Sequence, residues 1–281
     1  EHAAERRDLR SLYKITKSLT GGFHNNDIPV KDVNGKAITS TKEQVEQWAE
    51  HFRTILNRQD PDTSAEISEA LEDIDVRVDP PTREEIRRAI EALKNGKAPG
   101  EDRISVEMLK EGKPELSCVL AEIFKSVWEE ERLPEDWQTG LLFKLPKKGD
   151  LGNCNNWRGI MLLSITSKIF SKIILNRLCA GIDPQLHNEQ AGFRKGKSCS
   201  DHIFTLRQIL EQSKEWNTTL YATFIDLEKA FESVHRESLW KILRHYGIPS
   251  KIVSIIRMLY VDFKTKVIIF MWIPAVRKFQ L

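Results

Sequence analysis

The sequence predicts a fold of the α+β class, because short apolar runs with strand character occur among longer segments with helical periodicity. Strand character is clearest at residues 139–146 and 220–226, which are rich in aromatic, leucine and β-branched side chains. Helical periodicity is clearest at residues 45–56, where apolar side chains recur every three or four positions. At 281 residues the chain is longer than most single domains, so one large core with an appended segment and two separate domains are both open.

The composition indicates a globular protein rather than a disordered one, with 40% hydrophobic and 30% charged residues. No apolar run is long enough to span a bilayer, and the N-terminus has no signal-peptide pattern and no initiator methionine. We therefore expect an intracellular protein, in the nucleus, the cytoplasm or both, without a membrane partner. The missing methionine leads us to expect a fragment of something longer.

The four cysteines are far apart and form no C-x-x-C pair, which argues against a zinc site and against a disulfide framework. We expect them to be thiols in a reducing compartment. They are Cys118, Cys154, Cys179 and Cys199.

Charge is distributed unevenly behind a formal net charge of +2. Residues 60–136 contain 22 acidic and 11 basic side chains, whereas residues 140–200 contain 10 basic and 3 acidic ones. Residues 227–281 contain 10 basic and 4 acidic side chains. A basic second half is compatible with a polyanionic partner, although solvated lysine-rich surfaces are also common.

Residues 1–81 are predicted to be a mostly helical connector. Residues 1–35 begin with a polar segment predicted to be helical and continue into a stretch with turn signals. A clear helix is then predicted to start where Ser40 and Glu43 form a capping-box pattern. The acidic span 60–81 has few large apolar residues, so we expect an exposed linker with at most a short helix near residues 67–71.

Three helices are predicted next, and their apolar faces indicate core packing rather than chemistry. Thr82 and Glu85 form another capping-box pattern, a short helix follows at residues 106–110, and a longer one at 116–131.

Two basic loops are candidates for binding phosphate groups. Lys147 and Lys148 follow the strand predicted at 139–146, and Arg158 precedes a strand-like segment that runs into a helix. Such cations beside a carboxylate-bearing cleft would hold a triphosphate or a nucleic-acid backbone. A surface loop of lysines is the alternative interpretation.

The second basic loop contains Arg194, Lys195 and Lys197 and precedes a helix capped near Ser200. Phe193 lies among these cations. It would suit stacking on a nucleic acid, or it would anchor the loop to the core, and both interpretations are open.

Asp226 ends the predicted strand at 220–226, just before the periodicity becomes helical. A carboxylate at a strand end is held rigidly and can bind a metal ion. Aspartate also caps helices, so the local pattern leaves metal binding and capping both open. A further strand is predicted at residues 264–270, and the tail beyond it has no clear period.

Four blocks of the sequence, in this order, resemble the reverse transcriptase of non-LTR (LINE-type) retrotransposons. They are KNGKAPGEDRISVEML, LFKLPKKGDLGNCNNWRGIMLLSITSKIFSKIILNRL, EQAGFRKGKSCSDHIFTLRQI and FIDLEKAFESVHRESLW. The resemblance covers residues 82–266, with 1–81 similar to the connector that follows an endonuclease domain in these polyproteins and 267–281 a divergent tail.

The resemblance implies a right-hand polymerase, of which this chain would supply the fingers and part of the palm. Asp226 matches the first palm aspartate, a ligand of both Mg²⁺ ions, with the backbone carbonyl of Leu227 assisting. Phe231 matches the bulky residue that excludes a ribonucleotide's 2′-OH. Arg158 matches the fingers arginine on the dNTP triphosphate, helped by Lys147 or Lys148.

The implied partners are an RNA template with a DNA primer, or an RNA–DNA hybrid. Arg194, Lys195 and Lys197 would lie near its backbone. Nothing in the sequence indicates an oligomeric state.

The chain departs from the family pattern in ways that bear on activity. The later Y-x-D-D block, which supplies the other catalytic aspartates, is missing, Glu232 stands where aspartate is usual, and Arg103 stands where a small residue is common. Because two-metal catalysis needs several carboxylates, we expect a truncated polymerase fragment that is inactive by itself. A non-catalytic RNA- or DNA-binding module and a degraded transposon copy without function are the alternatives.

Overall fold

The computed structural model describes residues 29–32, 35–57, 59–63, 66–268 and 278–280. The helical piece predicted near the N-terminus lies largely outside these residues. The described part is a mixture of helices with one small sheet, as the α+β prediction requires.

Helices account for most of the regular structure. They are α1 (Thr41–Leu56), α2 (Arg83–Ala92), α3 (Val106–Glu111), α4 (Lys113–Glu130), α5 (Ile165–Ile182), α6 (Cys199–Glu215), α7 (Arg236–His245) and α8 (Ser250–Met258). The helices predicted at residues 40–56, 82–93, 106–110 and 116–131 are confirmed, with ends that differ by a few residues.

The strands are β1 (Thr139–Pro146), β2 (Trp157–Leu162), β3 (Lys264–Ile268) and β4 (Lys278–Gln280), in the sheet order β2-β1-β3-β4. Strands β1 and β3 are parallel, with Thr139 opposite Lys264 and Leu142 opposite Val267. Strand β4 runs antiparallel to β3. The strand predicted at 139–146 is confirmed, and the one predicted at 264–270 is confirmed over 264–268, its last two positions lying outside the described residues. Strand β4 was not predicted.

The chain divides into two compact units. The smaller comprises the described residues within Glu1–Trp48 and Leu145–Arg158. In it, Lys31 pairs with Asp150 at 2.7 Å, and the rings of Trp48 and Trp157 meet edge to face at 5.5 Å.

The larger unit comprises the described residues of Ala49–Lys144 and Gly159–Leu281, and it contains the main core. Helix α5 runs through this core, and Ile169, Phe170 and Ile173 are almost completely buried. Thr82 caps α2 through the predicted capping box, because its hydroxyl accepts from the Glu85 N–H and its own N–H donates to the Glu85 carboxylate.

The turn at residues 97–104 packs directly against the N-terminus of α5. A Cβ atom on Gly100 would lie 2.6 Å from the Ser164 nitrogen, so only glycine fits there. The Ser164 hydroxyl donates to Asp102 at 2.7 Å. Arg103 in this turn has φ 58, the left-handed region that glycine adopts without strain.

The prediction of an exposed linker at residues 60–81 is only partly correct. Residues 66–79, called the acidic strap below, lie against the helices of the larger unit. The Ile74 N–H donates to the Gly247 carbonyl at 2.7 Å, and the Trp128 indole donates to the Val78 carbonyl at 2.9 Å. Arg244 reaches Asp73 at 2.8 Å. The strap's acidic side chains are exposed, but its backbone is fixed, and the short helix expected near 67–71 does not form.

The strand predicted at residues 220–226 is wrong, since this stretch has no regular secondary structure. The helix expected directly after Asp226 starts only at Arg236, after a series of turns. Phe224 and Ile225 are 81% and 83% exposed instead of buried. A buried strand needs partner strands for its backbone, and no hydrogen bond joins the backbone of residues 219–226 to any described residue.

None of the helices in the described part of the chain is both long and apolar enough to cross a bilayer.

Candidate nucleic-acid and metal site

Asp226 lies in an exposed irregular segment of the larger unit. Its neighbours are also exposed, with Leu227 at 71% and Tyr221 at 90%. Asp226 caps no helix in the structure, because His235 is the residue at the N-cap of α7. The capping interpretation of Asp226 is therefore wrong, and its carboxylate is accessible to a ligand.

The residues around Asp226 do not by themselves form a metal centre. Across the described ranges, no three histidine, cysteine, aspartate or glutamate side chains are grouped closely enough to hold a metal ion. One carboxylate and the Leu227 carbonyl are too few ligands for two adjacent dications, which repel each other unless several anionic groups surround them. The arrangement described here does not fit a two-metal site.

Phe231, five residues after Asp226, contacts the second basic loop. Its ring meets that of Phe193 edge to face, with 5.6 Å between the centroids. The rings are 94% exposed at Phe193 and 75% exposed at Phe231. Phe193 therefore does not anchor its loop to the core, and the pair presents an accessible aromatic surface.

The cations of this loop differ in availability. Lys195 and Lys197 are exposed and form no ion pair with any described residue, and Lys197 only approaches the Asn188 carbonyl at 3.5 Å. Both lysines can therefore meet a phosphate without first breaking an ion pair.

Arg194 is used differently, because its guanidinium is bound within the chain. It forms a forked pair with Asp183 at 2.8 and 3.1 Å and donates to the carbonyls of His187 and Gln190. This hydrogen-bonded pairing raises the pKa of Arg194 and lowers the pKa of Asp183. Only 8% of the Arg194 side chain is exposed, so it ties the two ends of the loop together.

The candidate nucleotide-binding cations belong to the smaller unit. Lys147, Lys148 and Arg158 are all exposed there. The Lys147 N–H donates to the Asn156 carbonyl at 2.7 Å, which closes the loop between β1 and β2. The Arg158 side chain forms no hydrogen bond or ion pair within the described ranges, so its guanidinium is free for an anion.

The pairing of Phe193 with Phe231 was not predicted. The sequence separates the two residues by 38 positions, and only their joint exposure in the structure identifies them as one surface. None of the four cysteines, all of which lie in the described part of the chain, forms a disulfide, and Cys154 is buried.

Comparison with known proteins gives a family match to the second half of the chain. The family described as reverse transcriptase (RNA-dependent DNA polymerase) matches residues 145–276. The start of the match at 145, rather than 82, leaves the upstream boundary of the domain a prediction.

Three relatives illustrate the similarity. The transposon TX1 uncharacterized 149 kDa protein of Xenopus laevis is 30% identical over 64% of this chain and 14% of its own length. The probable RNA-directed DNA polymerase from transposon BS of Drosophila melanogaster is 27% identical over 82% of this chain and 26% of its own length. The retrovirus-related Pol polyprotein from type-1 retrotransposable element R2 of Popillia japonica is 28% identical over 60% of this chain and 23% of its own length. The chain thus spans about a quarter or less of each.

Proposed function

Since the chain carries a reverse transcriptase domain of the non-LTR retrotransposon type, we propose that it is part of an RNA-directed DNA polymerase. The observation that carries this proposal is the match of residues 145–276 to the reverse transcriptase family. The ordered blocks of the sequence, three of which overlap that range, support it.

The proposed architecture is a right hand in which residues 82–266 form the fingers and part of the palm. Residues 1–81 would be the connector, and residues 267–281 a divergent tail, the first part of which still lies within the family match that ends at 276. The exposed apolar side chains of α6 and residues 220–231 support this assignment, because α6 has no buried residue and segments of this kind are normally covered.

Residues 219–226 would become a palm strand once partner strands are supplied. Their composition favours a strand and their backbone is unpaired among the described residues. A fusion to the Y-x-D-D region of a related polymerase should slow amide hydrogen exchange in 219–226 relative to the 281-residue chain. Equal exchange in the two proteins would contradict the assignment.

The proposed ligands are an RNA template with a DNA primer, a dNTP and Mg²⁺. Lys195 and Lys197 would contact the nucleic-acid backbone, and Arg158 with Lys147 or Lys148 the triphosphate. Asp226 and the Leu227 carbonyl would contribute to a metal site whose other carboxylates are not in this sequence. Phe231 would discriminate against the 2′-OH.

We expect the 281-residue chain not to polymerise, because a single carboxylate cannot position two metal ions. The test is primer extension on poly(rA)/oligo(dT) with Mg²⁺ and with Mn²⁺. No incorporation is expected from the chain or from its Asp226→Ala variant. Incorporation that Asp226→Ala abolishes would overturn this expectation.

A non-catalytic nucleic-acid-binding role is the second candidate, favoured by the exposed lysines that have no ion pair. Binding to an RNA–DNA hybrid should weaken with salt, and Lys197→Ala should lower the slope of log affinity against log salt by about 0.7–0.9. Lys125→Ala, which removes an exposed lysine of α4, is the matched control and should leave the slope unchanged. No binding at low salt would eliminate this candidate.

A further inference from the structure

A cavity of about 290 Å³ lies in the larger unit, between α5, the end of β2 and the segment that follows α8. Its wall consists of three aromatic side chains, one methionine, two leucines and two serines of α5. The principal lining residues are Trp137, Met161, Ser167, Ser171, Tyr260 and Phe263.

The apolar wall is closely packed where Met161 and Phe263 meet β1. A Cβ atom on Gly140 would lie 2.5 Å from the Met161 sulfur and 2.8 Å from the Phe263 ring, so both side chains pack directly on the backbone there. This packing limits their freedom to collapse into the cavity. The space is therefore a stable feature of the wall rather than a gap that one rotamer change would fill.

The serines are unusual because their hydroxyls have no protein partner. Ser167 is only 5% exposed and lies one turn from Ser171 on α5. No hydrogen bond links either hydroxyl to any described residue. The nearby Ser164 differs, since it donates to Asp102 at 2.7 Å and also pairs with Thr166 at 2.6 Å.

The Ser167 hydroxyl still meets the water of the cavity, since among the described residues the one buried side-chain polar atom without a partner is Thr265 Oγ1. A hydroxyl that lines a cavity without a protein partner can exchange its water for a polar group of whatever enters. Aromatic walls favour a flat ring that packs on them. The two requirements together specify a ligand with an apolar ring body and a polar group at one end.

We propose that this cavity binds a compact aromatic molecule bearing a hydroxyl group, with the ring between Trp137, Met161 and Phe263 and the hydroxyl on Ser167. The volume accommodates one or two fused rings. This site uses none of the residues assigned to polymerase function and does not depend on that assignment.

The test compares 2-naphthol with naphthalene, which has the same rings but no hydroxyl, by equilibrium dialysis against the full chain. We expect 2-naphthol to bind about five-fold more tightly, the effect of one neutral hydrogen bond. Ser167→Ala should bring 2-naphthol to the affinity of naphthalene and leave naphthalene unchanged.

Ser126→Ala is the control, because it removes an exposed serine hydroxyl that donates to Glu130 on α4. It should change neither affinity. Ser171→Phe is expected to fill the cavity and abolish the binding of both compounds, and far-ultraviolet circular dichroism would confirm that each variant is folded. Equal affinities for the two compounds, a preference that survives Ser167→Ala, or no binding of either would overturn the proposal, the last indicating that the cavity holds only water.

Discussion

The rings of Phe193 and Phe231 meet edge to face at 5.6 Å while both remain largely exposed. Each residue lies next to a proposed functional group, Phe193 beside the lysines of the basic loop and Phe231 after Asp226. Exposed aromatic rings flanked by cations are typical of surfaces on which nucleic-acid bases stack. The pair is therefore the best candidate for a base or nucleotide contact in the larger unit.

If bases stack on this pair, Phe193→Ala should weaken binding of an RNA–DNA hybrid by about 1–3 kcal/mol, the usual effect of one lost stacking partner. Phe231→Ala should have a similar effect, and the two changes together should cost less than their sum because the rings touch. Fluorescence anisotropy of a labelled hybrid at fixed salt measures all three variants. Phe204→Ala removes an exposed phenylalanine of α6 outside the pair, and a loss of the same size in that control would contradict the stacking role.

We expect Arg194 to have a structural role in the basic loop and Lys195 to have a role in binding nucleic acid. Arg194→Ala removes the forked pair with Asp183 and two bonds to loop carbonyls, so amide hydrogen exchange in residues 183–197 should become faster. Lys195→Ala should leave that exchange unchanged and reduce only the affinity for nucleic acid. Unchanged exchange in Arg194→Ala would show that the loop is held by other contacts.

The ion pair between Glu85 and Arg177 predicts a pH dependence of stability. Burial raises the pKa of Glu85, but hydrogen bonds from Arg177 and the Thr82 N–H outweigh it and hold the pKa at about 2. Arg177 is 4% exposed and stacks over the Trp128 ring at 5.2 Å. The folded chain thus stabilises the ionised form of Glu85 more than the unfolded chain does.

Because the folded-state pKa is below the unfolded value of 4.5, this stabilisation is complete above pH 4.5 and is lost as the pH falls towards 2. The loss should amount to about 3 kcal/mol in the free energy of unfolding. Urea denaturation between pH 6 and 2.5 measures it, and Glu85→Gln should flatten the profile over this range. An unchanged profile in Glu85→Gln would place the acid sensitivity elsewhere, and Glu84→Gln, an exposed neighbour on α2, is the control.

The sequence was a good guide to local structure and a poor one to segments whose partners lie far away in the chain. Thr82 and Glu85 predicted their helix start correctly, because a capping box is complete within four residues. The apolar run at 220–226 predicted a buried strand, but a strand also needs neighbours, which composition does not specify.

Contacts between side chains that are distant in the sequence could not be predicted either. Arg177 lies in a helix whose apolar spacing is clear, yet its burial depends on Glu85 and on carbonyls of the acidic strap about 100 positions earlier. The strap was predicted to be exposed because it has few large apolar residues, whereas hydrogen bonds of its backbone and ion pairs such as that of Asp73 with Arg244 hold it in place. Of the proposed site, the cations and Asp226 were identifiable from sequence patterns, and the contact between Phe193 and Phe231 was not.

Arg103 offers a direct test of the turn that precedes α3. It has φ 58, a conformation that costs a residue with a Cβ about 1–2 kcal/mol, and its side chain is exposed. Arg103→Gly should therefore raise the free energy of unfolding by about 1 kcal/mol, after allowing for the greater freedom of glycine in the unfolded chain. Urea denaturation at neutral pH measures the difference. Arg103→Ala is the matched control, because it removes the guanidinium but keeps the Cβ, and it should leave stability nearly unchanged. An equal gain from alanine would mean that the side chain, rather than the backbone conformation, destabilises this turn.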